Sequence, residues 1–291
     1  MEKYSNILKE IKMQKEIKIV DKEKGFIRIT TVNERWYAKQ GENPDTKLPE
    51  YQFFPSSTWI ASHYPKGIAF YKWLADKGWN DAEAIKNAAG NKGSKVHQAI
   101  ELLEKAGELP IETVFTNSDT GFAEQLTTEE LDCIFSFTKW HEETKPLLIA
   151  NEMTVFGNNY AGTLDRIYNI NGQIYIVDLK TSQQIWEEFK LQVSSYSHAE
   201  IDYVSLGITK EAWDKRKMAI LQVGYRLNKA GWKFTEVEDK FYLFQMAYAI
   251  WQNENPNSKP KQKDYPLTLR ITTNKEKQNA RDFETFQVSK G

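Results

Sequence analysis

Residues 160–180 of the chain read YAGTLDRIYNINGQIYIVDLK, and this stretch decides the fold. It contains two runs of β-branched and aromatic residues, which are separated by Asn171 and Gly172. An Asn-Gly pair between two such runs is the strongest short sequence signal for a β-hairpin. A third run precedes them and ends at a Gly-Asn-Asn turn. The sequence therefore predicts three successive strands at Leu148–Phe156, Tyr160–Ile170 and Gln173–Leu179.

Apolar residues at helical spacing surround these three strands. Upstream, this pattern predicts helices after Pro55 with a cap at Ser57 or Thr58, then over 68–77, 81–89, 94–106 and 127–144. Thr127 and Glu130 form a capping-box pattern at the start of the last of these helices. The glycine-containing segment 90–93 predicts a break between two of them. Downstream, the pattern predicts a helix over 186–201, a strand over 218–227 with a partner at 231–235, and a helix over 240–252.

The N-terminal region carries weaker signals. Residues 1–18 have a weak helical pattern, 25–32 predicts a strand, 35–38 is extended, and the polar run 40–50 predicts a loop. The whole order of elements indicates an α/β (α+β) fold with a mixed β-sheet core flanked by helices. We expect three parts, namely an N-terminal β-containing extension with some helix over 1–54, a core over 55–252, and a polar C-terminal tail over 253–291.

Composition limits the classes of protein. The chain has 291 residues, with 39 Lys and Arg against 40 Asp and Glu, which gives a formal net charge of −1. This balance argues against a protein that coats nucleic acid through bulk positive charge, although it is compatible with a local basic groove. Cys133 is the single cysteine, which excludes an intramolecular disulfide, a zinc site with several thiolates and a cysteine-ligated iron–sulfur cluster. No apolar run reaches the ~18–20 residues of a membrane span, so we expect a cytoplasmic protein without a membrane partner.

Charged residues interrupt the predicted strands at corresponding places. Asp178 and Lys180 are two residues apart on one strand, so their side chains leave the same face. Asp165 lies 13 residues earlier, across the hairpin turn, and Glu152 lies 13 residues earlier again. Adjacent strands can bring these four side chains together. Clustered carboxylates repel one another unless a cation lies between them, and hard oxygen ligands suit Mg²⁺ or Mn²⁺.

An Asp/Glu-x-Lys pattern has little meaning by itself, because this chain contains seven of them. The pattern at Asp178 differs because it ends an apolar β run and follows Gly162-x-x-Asp165 on the neighbouring predicted strand. A strand-end ion pair at the surface is the alternative interpretation. Lys180 could position or deprotonate an attacking water, or it could stabilise the transition state of phosphoryl transfer.

Two helical pairs favour the interpretation as a site. Gln192 and Tyr196 are four residues apart, as are His97 and Glu101, so the members of each pair share a helix face. The first pair could orient Lys180 or a phosphate. His97 could supply an imidazole ligand to the same metal.

These segments together resemble a known family. In order, Gly93-Ser-Lys-Val-His97, Glu152, Gly162-Thr-Leu-Asp165, Asp178-Leu-Lys180 and Gln192-Val-Ser-Ser-Tyr196 resemble the motifs of RecB-like nucleases of the PD-(D/E)xK superfamily. The tryptophan- and lysine-containing stretch 57–73 is similar to phage-type exonucleases related to the mitochondrial genome maintenance exonuclease. The resemblance covers roughly residues 55–250.

The resemblance implies a restriction-endonuclease-like core that cuts DNA with one or two Mg²⁺ or Mn²⁺ ions. It implies His97, Asp165, Asp178 and the backbone carbonyl of Leu179 as metal ligands, with Glu152 as an additional candidate. Lys180 would be the catalytic lysine, and Gln192 and Tyr196 would support it. Relatives with an iron–sulfur cluster carry four cysteines, so they are set aside. ATP binding is not expected either, because residues 90–95 lack the spacing of a phosphate loop and no predicted strand precedes them.

We therefore expect a metal-dependent DNA exonuclease, which acts on single strands or strand ends in a bacterial or phage-infected cell. The alternatives are a structure-specific or double-strand endonuclease of the same fold and a catalytically silent DNA-binding subunit of a recombination complex. Five further residues are candidates for contact with DNA: Trp59, Lys66, Lys92, Lys95 and Glu101. For the tryptophans in this region, a place in the core is the favoured interpretation.

Overall fold

A computed structural model describes residues 15–21, 25–31, 34–42, 49–117, 120–257 and 259–260. Residues 1–14 of the predicted helix at 1–18 lie outside the described residues, and so does most of the predicted tail at 253–291. Residues 15–18 belong to a strand, which corrects the helical expectation there.

The strands are β1 (Lys15–Asp21), β2 (Phe26–Thr31), β3 (Arg35–Glu42), β4 (Pro49–Pro55), β5 (Val114–Thr116), β6 (Ala123–Gln125), β7 (Leu147–Gly157), β8 (Tyr160–Ile170), β9 (Gln173–Lys180), β10 (Lys217–Val223) and β11 (Trp232–Val237).

The helices match most of the sequence predictions. They are α1 (Ser57–Ala61), α2 (Ile68–Lys77), α3 (Trp79–Ala106), α4 (Thr128–Thr144), α5 (Glu187–Ser197), α6 (Lys210–Asp214) and α7 (Phe241–Glu254). The capping box of α4 is present, because the Thr127 hydroxyl accepts from Glu130 N and the Glu130 carboxylate accepts from Thr127 N. The predicted break at 90–93 is wrong, since α3 runs through it as one helix of 28 residues.

A mixed five-stranded sheet forms the centre of the fold, in the order β11-β10-β9-β8-β7. β7, β8 and β9 form an antiparallel meander, and β10 pairs with β9 in parallel and with β11 antiparallel. The α/β (α+β) class with a mixed sheet and flanking helices is thereby confirmed. β1–β4 form a second sheet, and β5 and β6 form a short hairpin that the sequence did not predict.

Apolar side chains cover both faces of the central sheet. On one face, α3 and α4 contribute Val96, Ile100, Phe137 and Trp140 to a core with sheet residues such as Val177. On the other face, Val193 and Tyr196 of α5 pack against sheet residues that include Ile167 and Ile176. The sheet therefore lies between two helical layers, and residues Glu16–Pro260 form one compact unit.

Within this unit, the N-terminal sheet packs against the helices through a third apolar cluster. Trp36, Trp59 and Trp251 contact one another edge to face, with ring centroids 5.2–5.7 Å apart. Ser56, which follows β4, pairs with Ala161 at the start of β8. None of the described helices is both long and apolar enough to cross a membrane.

Candidate metal centre

The candidate centre begins where the ladder of β8 and β9 ends. Backbone pairing runs from Ile170 with Gln173 to Arg166 with Val177. At the next residue of β8, a side chain makes the contact to β9 in place of the backbone. Oδ2 of Asp165 accepts a hydrogen bond from the backbone N–H of Leu179 at 2.8 Å. The two strands thus stay connected through a carboxylate, which leaves its other oxygen, Oδ1, directed elsewhere.

His97 lies on α3, in the helical layer that covers the face of the sheet opposite to α5, and its side chain lies near Asp165. Its Nδ1 lies 3.8 Å from Asp165 Oδ1 and 3.7 Å from Glu152 Oε1, while its Nε2 lies 2.9 Å from the carbonyl oxygen of Leu179. Burial disfavours a charged imidazole, but the carboxylates of Asp165 and Glu152 outweigh burial and raise the pKa of His97. Each of His97, Glu152 and Asp165 offers one ligand atom within 4.8 Å of the others, so this triad could hold a metal ion.

Glu152 occupies an irregular position in β7. Its φ of +47° lies in the left-handed region, which is uncommon for a residue other than glycine inside a strand. The register of β7 against β8 also shifts nearby, between Leu148 and Ala150. Such irregularities turn side chains away from their regular direction. Burial favours the neutral acid, but His97 and Arg166 outweigh it and lower the pKa of Glu152 to about 2.

Asp178 is the most deeply buried acid at this end of the sheet, with 1% of its surface exposed. Both of its carboxylate oxygens are buried, and neither makes a regular hydrogen bond within the described part of the chain, although Oδ2 forms an ion pair with Lys180 Nζ at 2.7 Å. Burial raises the pKa of Asp178 to about 6, although the ammonium of Lys180 acts in the opposite direction. A buried carboxylate oxygen without a donor is costly for folding, so its place beside a candidate metal ligand points to function.

Lys180 is held by α5. Its Nζ donates to Gln192 Oε1 at 3.4 Å, and Gln192 Nε2 in turn lies 2.7 Å from the Tyr196 hydroxyl and 3.2 Å from Thr58 Oγ1. Burial works against the ammonium, but the negative charges of Asp178 and Asp165 outweigh it and raise the pKa of Lys180. Lys180 is therefore a fixed cation at neutral pH, which suits stabilisation of negative charge better than removal of a proton from water.

Steric constraints explain why position 162 of the Gly-x-x-Asp pattern is a glycine. A Cβ atom added there would lie 2.5 Å from Cε1 of Tyr196 and 3.0 Å from Oγ of Ser57. Only glycine allows β8 to approach α1 and α5 this closely. The pattern thus couples a packing requirement at Gly162 to a candidate ligand at Asp165.

The structure brings together most of the predicted site residues. His97, Glu152 and Asp165 lie close together, and Asp178, Lys180, Gln192 and Tyr196 form a connected chain of contacts. The Leu179 carbonyl contacts Nε2 of His97, whereas Nδ1 is the nitrogen near the two carboxylates. Asp165 and His97 both act on the charge of Asp178, which places all three in one electrostatic cluster.

Two of the five candidates for DNA contact, Lys95 and Trp59, make internal contacts in the structure. Lys95 is 1% exposed, and its ammonium lies 2.6 Å from Glu124 and 2.9 Å from Glu130, so it is a structural cation that a phosphate does not reach. Trp59 belongs to the tryptophan cluster of the core. Lys66 pairs with Glu188, Lys92 lies 3.3 Å from Glu129, and Glu101 lies 2.5 Å from Lys105.

Two participants were not predicted, Arg166 and Glu104. Arg166 is 1% exposed, and its guanidinium donates to Glu104 at 2.9 Å and to Glu152 at 3.0 Å. A charged residue inside an apolar strand, and a glutamate seven residues after His97 on the same helix face, were the available signals.

No model of a known protein family matches this chain, and no curated protein matches it significantly. The case for a function therefore depends on the side chains described above and on their geometry.

Proposed function

We propose that the protein is a Mg²⁺- or Mn²⁺-dependent deoxyribonuclease with a restriction-endonuclease-like core, similar to the RecB-like nucleases of the PD-(D/E)xK superfamily. One observation carries the proposal. The triad of His97, Glu152 and Asp165 lies next to a buried Asp178–Lys180 pair, in which one carboxylate oxygen has no donor in the described part of the chain.

The donor set fits a hard divalent cation. Two carboxylates and one imidazole lie close enough together to share an ion. Asp178 has buried carboxylate oxygens that make no regular hydrogen bond with any described residue, but it does not belong to the three groups whose ligand atoms lie within 4.8 Å of one another. When bound, such an ion supplies Lewis acidity toward a phosphoryl oxygen and lowers the pKa of a water molecule.

The protein's own groups supply positioning and charge. Lys180 presents a fixed positive charge where negative charge develops on the phosphodiester, and Gln192 restricts its direction. Tyr196 fixes the amide of Gln192 at 2.7 Å, and the aromatic ring of Phe189 lies 4.9 Å from Lys180 Nζ. Water attacks phosphorus in line with the leaving oxygen, and the P–O bond opposite the attacking water breaks.

The largely exposed helical segment formed by α2 and the first half of α3, here called the arm, supports DNA as the substrate. It leaves Tyr71 53% exposed and Trp79 68% exposed, and its surface also carries Lys72 and Lys77. Exposed rings with nearby cations are typical of surfaces that stack bases and contact phosphates of single-stranded nucleic acid. The same α3 continues from the arm to His97, so a strand bound along it would lead to the candidate metal centre.

The substrate class is tested by incubating end-labelled linear DNA, single- and double-stranded, with Mg²⁺ or Mn²⁺, next to circular DNA of the same sequence. We expect metal-dependent release of nucleotides from linear single strands and slow or no cleavage of circles. Equal cleavage of circles would support the endonuclease alternative. Binding without cleavage of any substrate would support the silent DNA-binding subunit and contradict the proposal.

A further inference from the structure

Arg166 connects the candidate metal centre to the interior of the protein. Its Nε donates to Glu104 Oε2 at 2.9 Å, and its Nη1 donates to Glu152 Oε1 at 3.0 Å. The same Oε1 atom of Glu152 lies 3.7 Å from His97 Nδ1. One guanidinium therefore holds the carboxylate oxygen that faces the imidazole.

Glu104 holds this guanidinium on the side that faces the protein interior. The Arg166 and Glu104 side chains are 2% and 4% exposed, whereas the Glu152 side chain is 29% exposed. Glu104 also accepts a hydrogen bond from the hydroxyl of Tyr168, which lies in the apolar core between α3 and the sheet. The contact chain Tyr168–Glu104–Arg166–Glu152 thus leads from a rigid, buried end to a partly exposed end at the candidate centre.

Folding alone gives little reason for this arrangement. A buried ion pair is often no better for stability than apolar side chains of similar volume, because both charges lose their hydration. Glu152 also has a left-handed backbone conformation, with φ of +47°, which needs compensation from its surroundings. Backbone strain of this kind inside a strand gathers where a side chain must be aimed at a particular point.

We infer that Arg166, fixed by Glu104, is a positioning residue that holds Glu152 in the direction required of a metal ligand. This inference rests on the metal centre of the proposed function. Removing a residue that orients a metal ligand through a hydrogen bond typically lowers metal affinity ~10- to 100-fold. Arg166 is suited to this because its planar fork fixes two carboxylates in one geometry, which the point charge of lysine does not do.

The test is Mn²⁺ binding to the full-length protein in the absence of DNA, measured by calorimetry, with thermal unfolding recorded for every variant. Arg166→Lys and the neutralised pair Glu104→Gln/Arg166→Met are compared with wild type. Gln at 104 still offers an acceptor to Tyr168, so the double variant keeps that contact. Lys210→Met is the control, because it removes one cation from the exposed pair of Lys210 and Asp214.

We expect the Mn²⁺ dissociation constant to rise ~10- to 100-fold in both Arg166 variants and to stay unchanged in Lys210→Met. A double-mutant cycle with Glu152→Gln separates positioning from a structural role. If Arg166 acts through Glu152, then the neutralised pair Glu104→Gln/Arg166→Met should cause no further loss of affinity in the Glu152→Gln background. Additive losses, or wild-type affinity in a folded Arg166→Lys protein, would overturn the inference.

DNA cleavage measured on the same samples keeps the two proposals apart. Wild-type protein that binds Mn²⁺ with the expected Arg166 dependence but cleaves no DNA would contradict the proposed function alone. Cleavage with additive Arg166 and Glu152 effects would contradict the positioning role alone. Wild-type protein that binds no Mn²⁺ would overturn the positioning role directly, whatever the cleavage assay gives.

Discussion

Lys180 and Asp178 are in contact, but they differ in how their surroundings act on their charges. Both are held in a buried place, where charges are costly unless they are paired. The lysine stays protonated because two aspartates lie near it, and burial brings the pKa of Asp178 up to about 6. In the proposed centre, the pair therefore combines a fixed cation with a carboxylate that is mostly ionised at neutral pH.

Replacing Lys180 by alanine should lower the rate of DNA hydrolysis at saturating Mn²⁺ by at least ~10²-fold, because a fixed charge at the transition state is lost. Mn²⁺ affinity should change far less, since Lys180 donates no ligand atom. The matched control is Lys190→Ala, which removes a lysine of the same helix that holds Gln192, at a more exposed position where it pairs with Glu187. Single-turnover rates and calorimetry check both expectations, and a wild-type rate in Lys180→Ala would contradict the role of this residue.

Residue spacing indicated some contacts and could not indicate others. Asp178 and Lys180 share a strand face and lie 2.7 Å apart because a strand alternates its side chains. Lys95 was expected at the surface, because nothing local shows that Glu124 and Glu130 converge on it from two other elements. Glu101 was singled out because it lies four residues after His97 on the same helix face. Glu104, seven residues after His97, shares that face as well, but only its contact with Arg166 in the folded chain connects it to the candidate centre.

At the level of elements, α3 is the most informative departure from the sequence pattern. Gly90 and Gly93 suggested a break, but isolated glycines in a helix cost only ~1 kcal/mol each relative to alanine. Packing of the second half of α3 against the sheet, through Val96, Ala99 and Ile100, offsets this cost. The helix therefore continues without interruption from Trp79 to His97.

Gly90→Ala should stabilise the protein by about 0.5–1 kcal/mol, because a Cβ atom there meets nothing within 4 Å and alanine favours helix. Gly78→Ala is the matched control. It also meets no neighbour, but its φ of +75° disfavours any residue with a Cβ, so this change should destabilise the protein. Urea unfolding measures both. Destabilisation by Gly90→Ala would indicate that α3 needs a flexible point at that position.

The tryptophans of the helical region should separate into two functional groups. Trp79→Ala should leave stability within ~0.5 kcal/mol of wild type but weaken single-stranded DNA binding ~5- to 100-fold, since base stacking is lost. Trp59→Ala should destabilise the fold by ~2–4 kcal/mol, because its ring packs between Trp36 and Trp251. Thermal unfolding and fluorescence anisotropy distinguish them. An unchanged DNA affinity in Trp79→Ala would contradict the role of the arm.

The hairpin signals were reliable because turn chemistry is local. Asn171 and Asn159 both adopt the left-handed conformation that their turns require, and the strands on either side pair as expected. The polar run 40–50 contains the end of β3 and the start of β4 instead of only a loop. Strand pairing there depends on neighbours such as Tyr37 and Phe54, whose burial is a tertiary property.

For the whole molecule, a net charge of −1 does not describe the surface that a substrate meets. Several acids are used inside the protein, where Glu104, Glu130, Asp165 and Asp178 are buried in ion pairs or in the candidate centre. A bound divalent cation would neutralise part of the centre's negative charge and so reduce its repulsion of DNA.

Metal binding by the whole protein should depend steeply on pH. In the proposed centre, a divalent ion is favoured by the ionised form of Asp178, whose pKa is raised to about 6, and by the neutral form of His97, whose pKa is raised by nearby carboxylates. Both requirements act in the same direction, so Mn²⁺ affinity should rise with pH through and above pH 6, and binding should release protons. Calorimetry in two buffers of different ionisation enthalpy measures this. Equal affinity below pH 6 and at neutral pH would contradict it.

The most direct test of the nuclease assignment is the rate of DNA hydrolysis as a function of Mn²⁺ concentration, for wild type and for Asp165→Asn. Asparagine can still accept the hydrogen bond from the Leu179 N–H, so the connection between β8 and β9 is kept while the charge is removed. The wild-type rate should be zero without metal and should saturate with Mn²⁺, and the variant should be slower by at least ~10²-fold. Hydrolysis by wild type in the presence of a chelator, or an equal rate in a folded Asp165→Asn protein, would contradict the account.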